Sequence, residues 1–336
     1  AKIGAAFESS YVESGCTFCG ACIDICPTGT LTDRFARWHG QATSAQISAC
    51  TLCPEGCSVR QVFVDGQMVA AEMTGYSREA RLCALGRFAY AQLLNAPNRL
   101  RTPVIREDEE QVPVDWPEAV SAVAERLAAY RDGSFVAVVS DLATRENRHV
   151  LQKFTEQVMG GQLVVAPFND GNGSLTSTVN RIRSGEIKAA LVTGDYLVPE
   201  ELEAVEYLIV SDFLPSPAVK RADAVLPAAI GSELGGTFRN AAGEVKRLGE
   251  SNEAPGRAEP EWRSICKLAQ AMNATGFDYR TVDEVTKDID GDVPPPASDA
   301  RPRDRLSDLP ARFRGHLIAD TVPALEAIGL PVSEKT

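Results

Sequence analysis

Eight of the nine cysteines in this 336-residue chain fall between positions 16 and 83, in two short-spaced groups. Cys16, Cys19, Cys22 and Cys26 form a C-x2-C-x2-C-x3-C run closed by Pro27. Cys50, Cys53 and Cys57 form C-x2-C-x3-C, and Cys83 follows after twenty-five more residues. Disulfide frameworks disperse their cysteines to close loops, whereas thiolate ligands cluster so that a single loop can wrap one centre. A chain of this length with 44% apolar residues has room for ordinary cores and needs no covalent staples. All eight positions are therefore candidate metal ligands.

The first run resembles that of bacterial ferredoxins. Three cysteines two residues apart let a tight loop wrap one face of a cubic cluster while backbone N–H groups point at its sulfides. Gly20 permits the close approach, and Pro27 turns the fourth cysteine away. A zinc knuckle also uses C-x2-C pairs, but it rarely uses a fourfold run ending in Cys-Pro. In two-cluster ferredoxins the fourth cysteine ligates the other cluster. Cys16, Cys19 and Cys22 would then need one further ligand, and Cys26 would need three. The ninth cysteine, Cys266, falls in a helical pattern and reads as a small buried apolar residue. The matching run is accordingly expected upstream of Ala1 or on a partner chain. The chain opens Ala1-Lys2 without a Met, which suits a processed or internal piece. The alternative is that all four cysteines share one cluster.

The second group is self-contained, with four thiolates from one stretch. It resembles the iron–sulfur domain at the head of molybdopterin oxidoreductases, with Leu82-Cys83-Ala84-Leu85-Gly86-Arg87-Phe88 similar to the fourth-ligand signature. Arg99-Leu-Arg-Thr-Pro-Val104 is similar to the segment entering that family's first α/β domain. Asp24–Asp33 running into Ala36-Arg37-Trp38 resembles the large iron–sulfur subunit of bacterial NADH dehydrogenase, and the related subunits of NAD-linked formate dehydrogenases and hydrogenases. Ala222–Ala228, Gly235–Asn240 and Gly243–Arg247 are similar to later stretches of the same family. The resemblance spans roughly residues 10–275. It implies two [4Fe–4S] clusters, the first completed by ligands outside this chain if Cys26 serves another cluster.

Three departures bear on whether a molybdenum site is expected. Catalytic members of the family usually carry Lys two residues after the fourth cysteine, where this chain has Leu85. They supply Cys, selenocysteine or Ser to the metal, whereas Gly160–Ser174 has no cysteine and Ser174 lies in a Gly/Asn-rich stretch. Ile182–Gly194 then resembles a much later part of the family, so most of one intervening domain and the C-terminal pterin-binding barrel are missing. The resemblance therefore implies an inherited scaffold without a molybdopterin. The glycine of Gly194-Asp195 follows a strand pattern at a carboxyl end, where open α/β sheets bind ligands, but one glycine is a weak signal. His39, His149 and His316 are isolated in the sequence.

Beyond Trp116, helical patterns at Pro117–Tyr130, Arg148–Met159 and Glu259–Met272 alternate with short β-branched runs. These runs are Phe135–Val139, Leu163–Val165, Ala189–Val192, Tyr207–Val210 and Ala224–Leu226. Such alternation predicts right-handed βαβ units. The expected fold is α+β ferredoxin-like iron–sulfur modules followed by an α/β domain with a mostly parallel sheet. Its division is 1–45 (ferredoxin-type), 46–101 (second iron–sulfur domain, with a small sheet from Val59–Val64 and Met68–Glu72), 102–275 (α/β scaffold) and 276–336 (linker and C-terminal docking arm, with a helix over Leu317–Leu330). A net charge of −12 argues against nucleic acid as a partner. No apolar run reaches the roughly 20 residues of a membrane span, and no leader pattern opens the chain, so the cytoplasm is expected. The expected function is electron transfer in a multi-subunit NAD(P)H-, formate- or hydrogen-linked oxidoreductase. Its partners would be a flavin/NAD(H)-binding subunit and a catalytic or electron-accepting subunit. The alternative is a molybdenum or tungsten bis-pterin oxidoreductase chain resembling formate dehydrogenase.

Overall fold

The β-branched runs become strands whose alternate residues feed two separate cores. The computed structural model describes residues 11, 14, 16–75, 80, 82–166, 173–194, 196–250 and 252–289. It forms two compact units that part between Ala96 and Pro97.

The first unit is built on a three-stranded antiparallel sheet of β1 (Ser44–Ala49), β2 (Ser58–Val64) and β3 (Gln67–Met73), in that spatial order. Asp65 and Gly66 take left-handed backbone at the β2–β3 turn, where glycine adopts positive φ at no steric cost. Strand β1 carries one β-branched residue, Ile47, and straddles the expected boundary at 45/46. Before the sheet lie a single helical turn, α1 (Ala21–Asp24), and a 3-10 turn at Ala36–Trp38. After it, a π-helical turn at Leu85–Ala89 runs into α2 (Tyr90–Leu94). Tyr90 and Leu93 are fully buried.

The second unit holds a seven-stranded sheet. Its strands are β4 (Val104–Glu107), β5 (Glu110–Pro113), β6 (Phe135–Ser140), β7 (Gln162–Ala166), β8 (Ala189–Thr193), β9 (Tyr207–Asp212) and β10 (Ala224–Pro227), ordered β5-β4-β10-β9-β8-β6-β7. The five strands from β10 to β7 run parallel, and the β4–β5 hairpin adds an antiparallel edge. The sheet is thus mostly parallel, as expected. Its central strands are buried on both faces, which is why they read as continuous apolar runs. Phe135, Ala137, Val139, Leu191 and Ile209 face one core, with residues of α3 (Trp116–Leu127), α4 (Arg145–Lys153) and α7 (Glu261–Ala271). Val136, Val138, Val192, Leu208 and Val210 face the other, with α5 (Gly173–Arg183) and α6 (Pro217–Arg221). A small hairpin, β11 (Thr237–Arg239) and β12 (Val245–Arg247), stands apart from the main sheet.

Helix starts follow capping chemistry. The side chains of Asp115, Thr144 and Ser216 accept the N–H of Glu118, Asn147 and Val219 and so begin α3, α4 and α6. One expectation needs correction. Residues 276–289 do not open a linker but carry α8 (Val282–Asp288), whose Val285 lies in the core beside Phe277. The apolar spacing of Val282 and Val285 was masked by the charged residues around it. The rest of the expected arm, with Leu317–Leu330 and His316, lies outside the described residues, as do Asp195 and the middle of Gly160–Ser174. Among the described residues no helix is long and apolar enough to cross a membrane.

Candidate iron–sulfur sites

Cys50 follows β1 directly, and Cys53 and Cys57 occupy the loop that returns to β2. The Cys50 N–H donates to the Cys57 carbonyl at 2.8 Å, closing that loop on itself. Gly56, at φ 57°, donates to the Cys53 carbonyl at 3.4 Å within it. Cys83 arrives from beyond the sheet, at the start of the π turn, where its carbonyl accepts the Arg87 N–H at 2.9 Å. A Cβ built on Gly86 would lie 3.5 Å from the Cys50 sulfur, so the glycine lets this turn pass close over Cys50. Cys50 is buried. Burial pushes its thiol well above the ordinary value, and the sulfurs of Cys53, Cys83 and Cys57 push it further. The structure thus brings these four predicted residues together.

They gather without closing on a point. Among the described residues no group of three His, Cys, Asp or Glu side chains is arranged to hold a single metal ion. A zinc ion would draw all four sulfurs to about 2.3 Å from one centre. A cubane takes each thiolate at a different iron, so a looser ring of four sulfurs suits it. Four thiols drawn from one stretch are a donor set that a [4Fe–4S] cluster can use.

The first group lies nearer the surface, with Cys16 and Cys22 exposed and Cys19 and Cys26 half-buried. Its loop directs backbone donors at sulfur. The Phe18 N–H meets the Cys16 sulfur at 3.4 Å, and the Leu31 N–H meets that of Cys26 at 3.4 Å. Phe18 and Gly20 take left-handed backbone, at φ 55° and 75°, which tightens the turn between the cysteines. The Leu31 N–H, aided by the Thr28 hydroxyl, lowers the Cys26 thiol to about 7. Donors aimed at sulfur favour the thiolate, the form that binds iron.

Asp24 and Arg87 stand in the sequence only as letters of two motifs. In the fold they join the two cysteine groups. Asp24 stands between Cys22 and Cys26, and its Oδ1 lies 2.7 Å from Arg87 Nη2, both side chains being almost wholly buried. The same carboxylate accepts the Met73 N–H at 3.0 Å through Oδ2, and Arg87 Nη1 donates to the Ala71 carbonyl. A charged pair of residues inside two cysteine motifs was the available signal.

Cys266 is buried on α7 among Trp262, Ile265 and Leu268, and burial pushes its thiol up to about 12. His149, isolated in sequence, has a carboxylate partner: its Nε2 lies 3.1 Å from Asp288 Oδ2, which also neighbours Lys153. His39 follows the 3-10 turn and is exposed.

Residues 99–171 and 165–271 match the molybdopterin oxidoreductase family, and residues 10–32 match the 4Fe–4S binding domain. The alpha subunit of NADPH-Fe(3+) oxidoreductase from Geobacter sulfurreducens is 28% identical over 149 residues, covering 43% of this chain and 17% of that protein. Formate dehydrogenase H from Escherichia coli is 30% identical over 167 residues, covering 42% of this chain and 23% of the relative. NADH-quinone oxidoreductase subunit 3 from Thermus thermophilus is 27% identical over 201 residues, covering 59% and 25%. The chain therefore spans a quarter or less of the length of these relatives. The matches to residues 99–271 and 10–32 place this chain in the molybdopterin oxidoreductase family, with a 4Fe–4S binding domain near its amino terminus.

Proposed function

We propose that the chain is an iron–sulfur electron-transfer subunit of a multi-subunit NAD(P)H-, formate- or hydrogen-linked oxidoreductase, without a molybdenum site of its own. The observation that carries this reading is geometric: the loop from Cys50 to Cys57 closes on itself, and the turn that follows Cys83 passes over buried Cys50. In this reading Cys50, Cys53, Cys57 and Cys83 hold one [4Fe–4S] cluster. Cys16, Cys19, Cys22 and Cys26 belong to a ferredoxin-type module over residues 1–45 that is completed by ligands outside the chain. Bound there, the clusters would accept and pass single electrons. The protein contributes burial, sulfur-directed N–H groups and fixed spacing. Residues 102–275 serve as a scaffold and 276–336 as a docking arm, with a flavin/NAD(H)-binding subunit and a catalytic or electron-accepting subunit as partners, in the cytoplasm. The named relatives act on NADPH, NADH-quinone and formate couples, which supports a redox role without choosing the donor.

The second reading, a molybdenum or tungsten bis-pterin chain, draws on the match to formate dehydrogenase H. Leu85, in place of the family's usual Lys, weighs against it. Elemental analysis of the purified chain, with an EPR-monitored redox titration, separates the two. Reversible iron–sulfur signals with no molybdenum or tungsten are expected. Either metal at one per chain overturns the first reading, and so does iron that cannot be reduced reversibly.

A further inference from the structure

Arg87 reaches both cysteine groups. Its own N–H bonds the Cys83 carbonyl at 2.9 Å, one turn after the last cysteine of the second group. Its side chain crosses to the first group, where Gly20 lies between Cys19 and Cys22. A Cβ at Gly20 would overlap Arg87 Nε and come within 2.8 Å of its Cδ and Cγ, so glycine here admits the guanidinium. Residue Arg87 is 3% exposed. Its Nη2 binds Asp24, its Nη1 binds the Ala71 carbonyl, and its buried Nε has no protein acceptor. An N–H left over on the side facing a cysteine loop is what a sulfur acceptor would use.

Burying a charged pair costs desolvation, and packing alone is served as well by apolar side chains of the same volume. A charge held here has a different consequence. Reducing a cluster adds one negative charge, and a nearby buried cation stabilises that added charge more strongly than it would in water. We infer that Arg87, held by Asp24 and admitted by Gly20, is a positioning residue shared by the two cysteine groups, setting their contact and raising the electron affinity of the cluster at Cys50, Cys53, Cys57 and Cys83. Asp24 acts with the opposite sign. The inference rests on the electron-transfer reading above.

The test is a mediated redox titration of the full chain and its variants, with dithionite supplying one electron per step, read by EPR alongside iron and sulfide content. Arg87→Gln should keep its iron and move the potential of the second cluster to more negative values. Arg87→Lys, which keeps the charge, should stay closer to the unaltered chain, and Asp24→Asn should move the potential to more positive values. Equal shifts in the Gln and Lys variants, or no shift in either, overturn the inference. If Arg87→Gln loses its iron, Asp24→Asn carries the test, and a negative or absent shift there overturns it. Loss of iron in all three variants marks a purely structural pair and also overturns it. An unaltered chain without reversibly reducible iron would instead sink the electron-transfer reading itself.

Discussion

Arg99 grips Glu233 with both terminal nitrogens, Nη1 to Oε1 at 3.0 Å and Nη2 to Oε2 at 2.8 Å, with neither side chain reaching solvent. Arg99 opens the segment entering the second unit, and Glu233 sits between the Ala222–Ala228 and Gly235–Asn240 stretches. The pair therefore ties the Arg99–Val104 block to the loop between two later blocks of the family resemblance. The Ile230 N–H also donates to Glu233 Oε2 at 2.9 Å. Glu233→Ala leaves the guanidinium buried without its counter-ion, and should destabilise the second unit by roughly 3–5 kcal/mol. Replacing both partners, as Arg99→Met with Glu233→Leu, should recover much of that loss. Urea unfolding followed by far-UV circular dichroism reads both. A Glu233→Ala midpoint equal to that of the unaltered chain would refute the assignment.

Glu261, at the start of α7, predicts a pH dependence. Burial raises its carboxyl to about 7, against the pull of hydrogen bonds from Ser211 and Asn147. The Asn147 amide donates to its Oε2 at 2.8 Å. The folded chain therefore holds this proton where the unfolded chain has released it. The stabilisation is complete below the unfolded value near 4.5, and is lost as pH rises through about 7. Glu261→Gln keeps an amide oxygen for Asn147 and removes the titration. Between pH 5 and 8 the unaltered chain should lose roughly 2–3 kcal/mol relative to the variant. Thermal melts across that range give the comparison, and parallel pH profiles would count against it.

Much of this architecture could be read in advance because a doubly covered parallel strand has no polar face. Phe135–Val139, Ala189–Val192 and Tyr207–Val210 are unbroken apolar runs, and each became a central strand. The β4–β5 hairpin was missed because its four-residue edge strands, such as Val104-Ile-Arg-Glu107, carry little apolar signal. In α4 the helical pattern was found, but its start at Thr144 depends on a cap, and its π turn from Phe154 has no local signature. The cysteine spacings marked eight candidate ligands directly. Arg87 contacting Asp24 and Gly20 was not legible, since nothing local specifies which distant loop a buried charge will meet.

Gly161, just before β7, passes close to the backbone of β6. A Cβ there would collide with the Phe135 carbonyl oxygen and lie 3.0 Å from its carbon, both of them backbone atoms that cannot swing aside. Gly161→Ala should push β7 from its place beside β6 and cost on the order of 2–3 kcal/mol. Gly185→Ala is a control for backbone freedom alone, because its φ is 74° and its Cβ would meet no atom within 4 Å. Chemical denaturation should show the larger loss at Gly161. The reverse order would show that left-handed strain outweighs the collision.

The contrast between Cys83 and Cys266 tests the ligand assignment. Cys83 is one of the three cysteines near Cys50, whereas Cys266 packs with Trp262 and Leu268 in the core of the second unit. A serine hydroxyl is a poor replacement for a thiolate at iron. Cys83→Ser should therefore lower the iron content by about four per chain and destabilise the first unit, which loses the cluster as a cross-link. Cys266→Ala removes only a small buried sulfur. It should leave iron and acid-labile sulfide unchanged while lowering stability by about 1 kcal/mol. Iron and sulfide assays on both variants, beside thermal melts, decide the matter. Unchanged iron in Cys83→Ser would remove that residue from the proposed site, and lost iron in Cys266→Ala would return the ninth cysteine to the list of ligands.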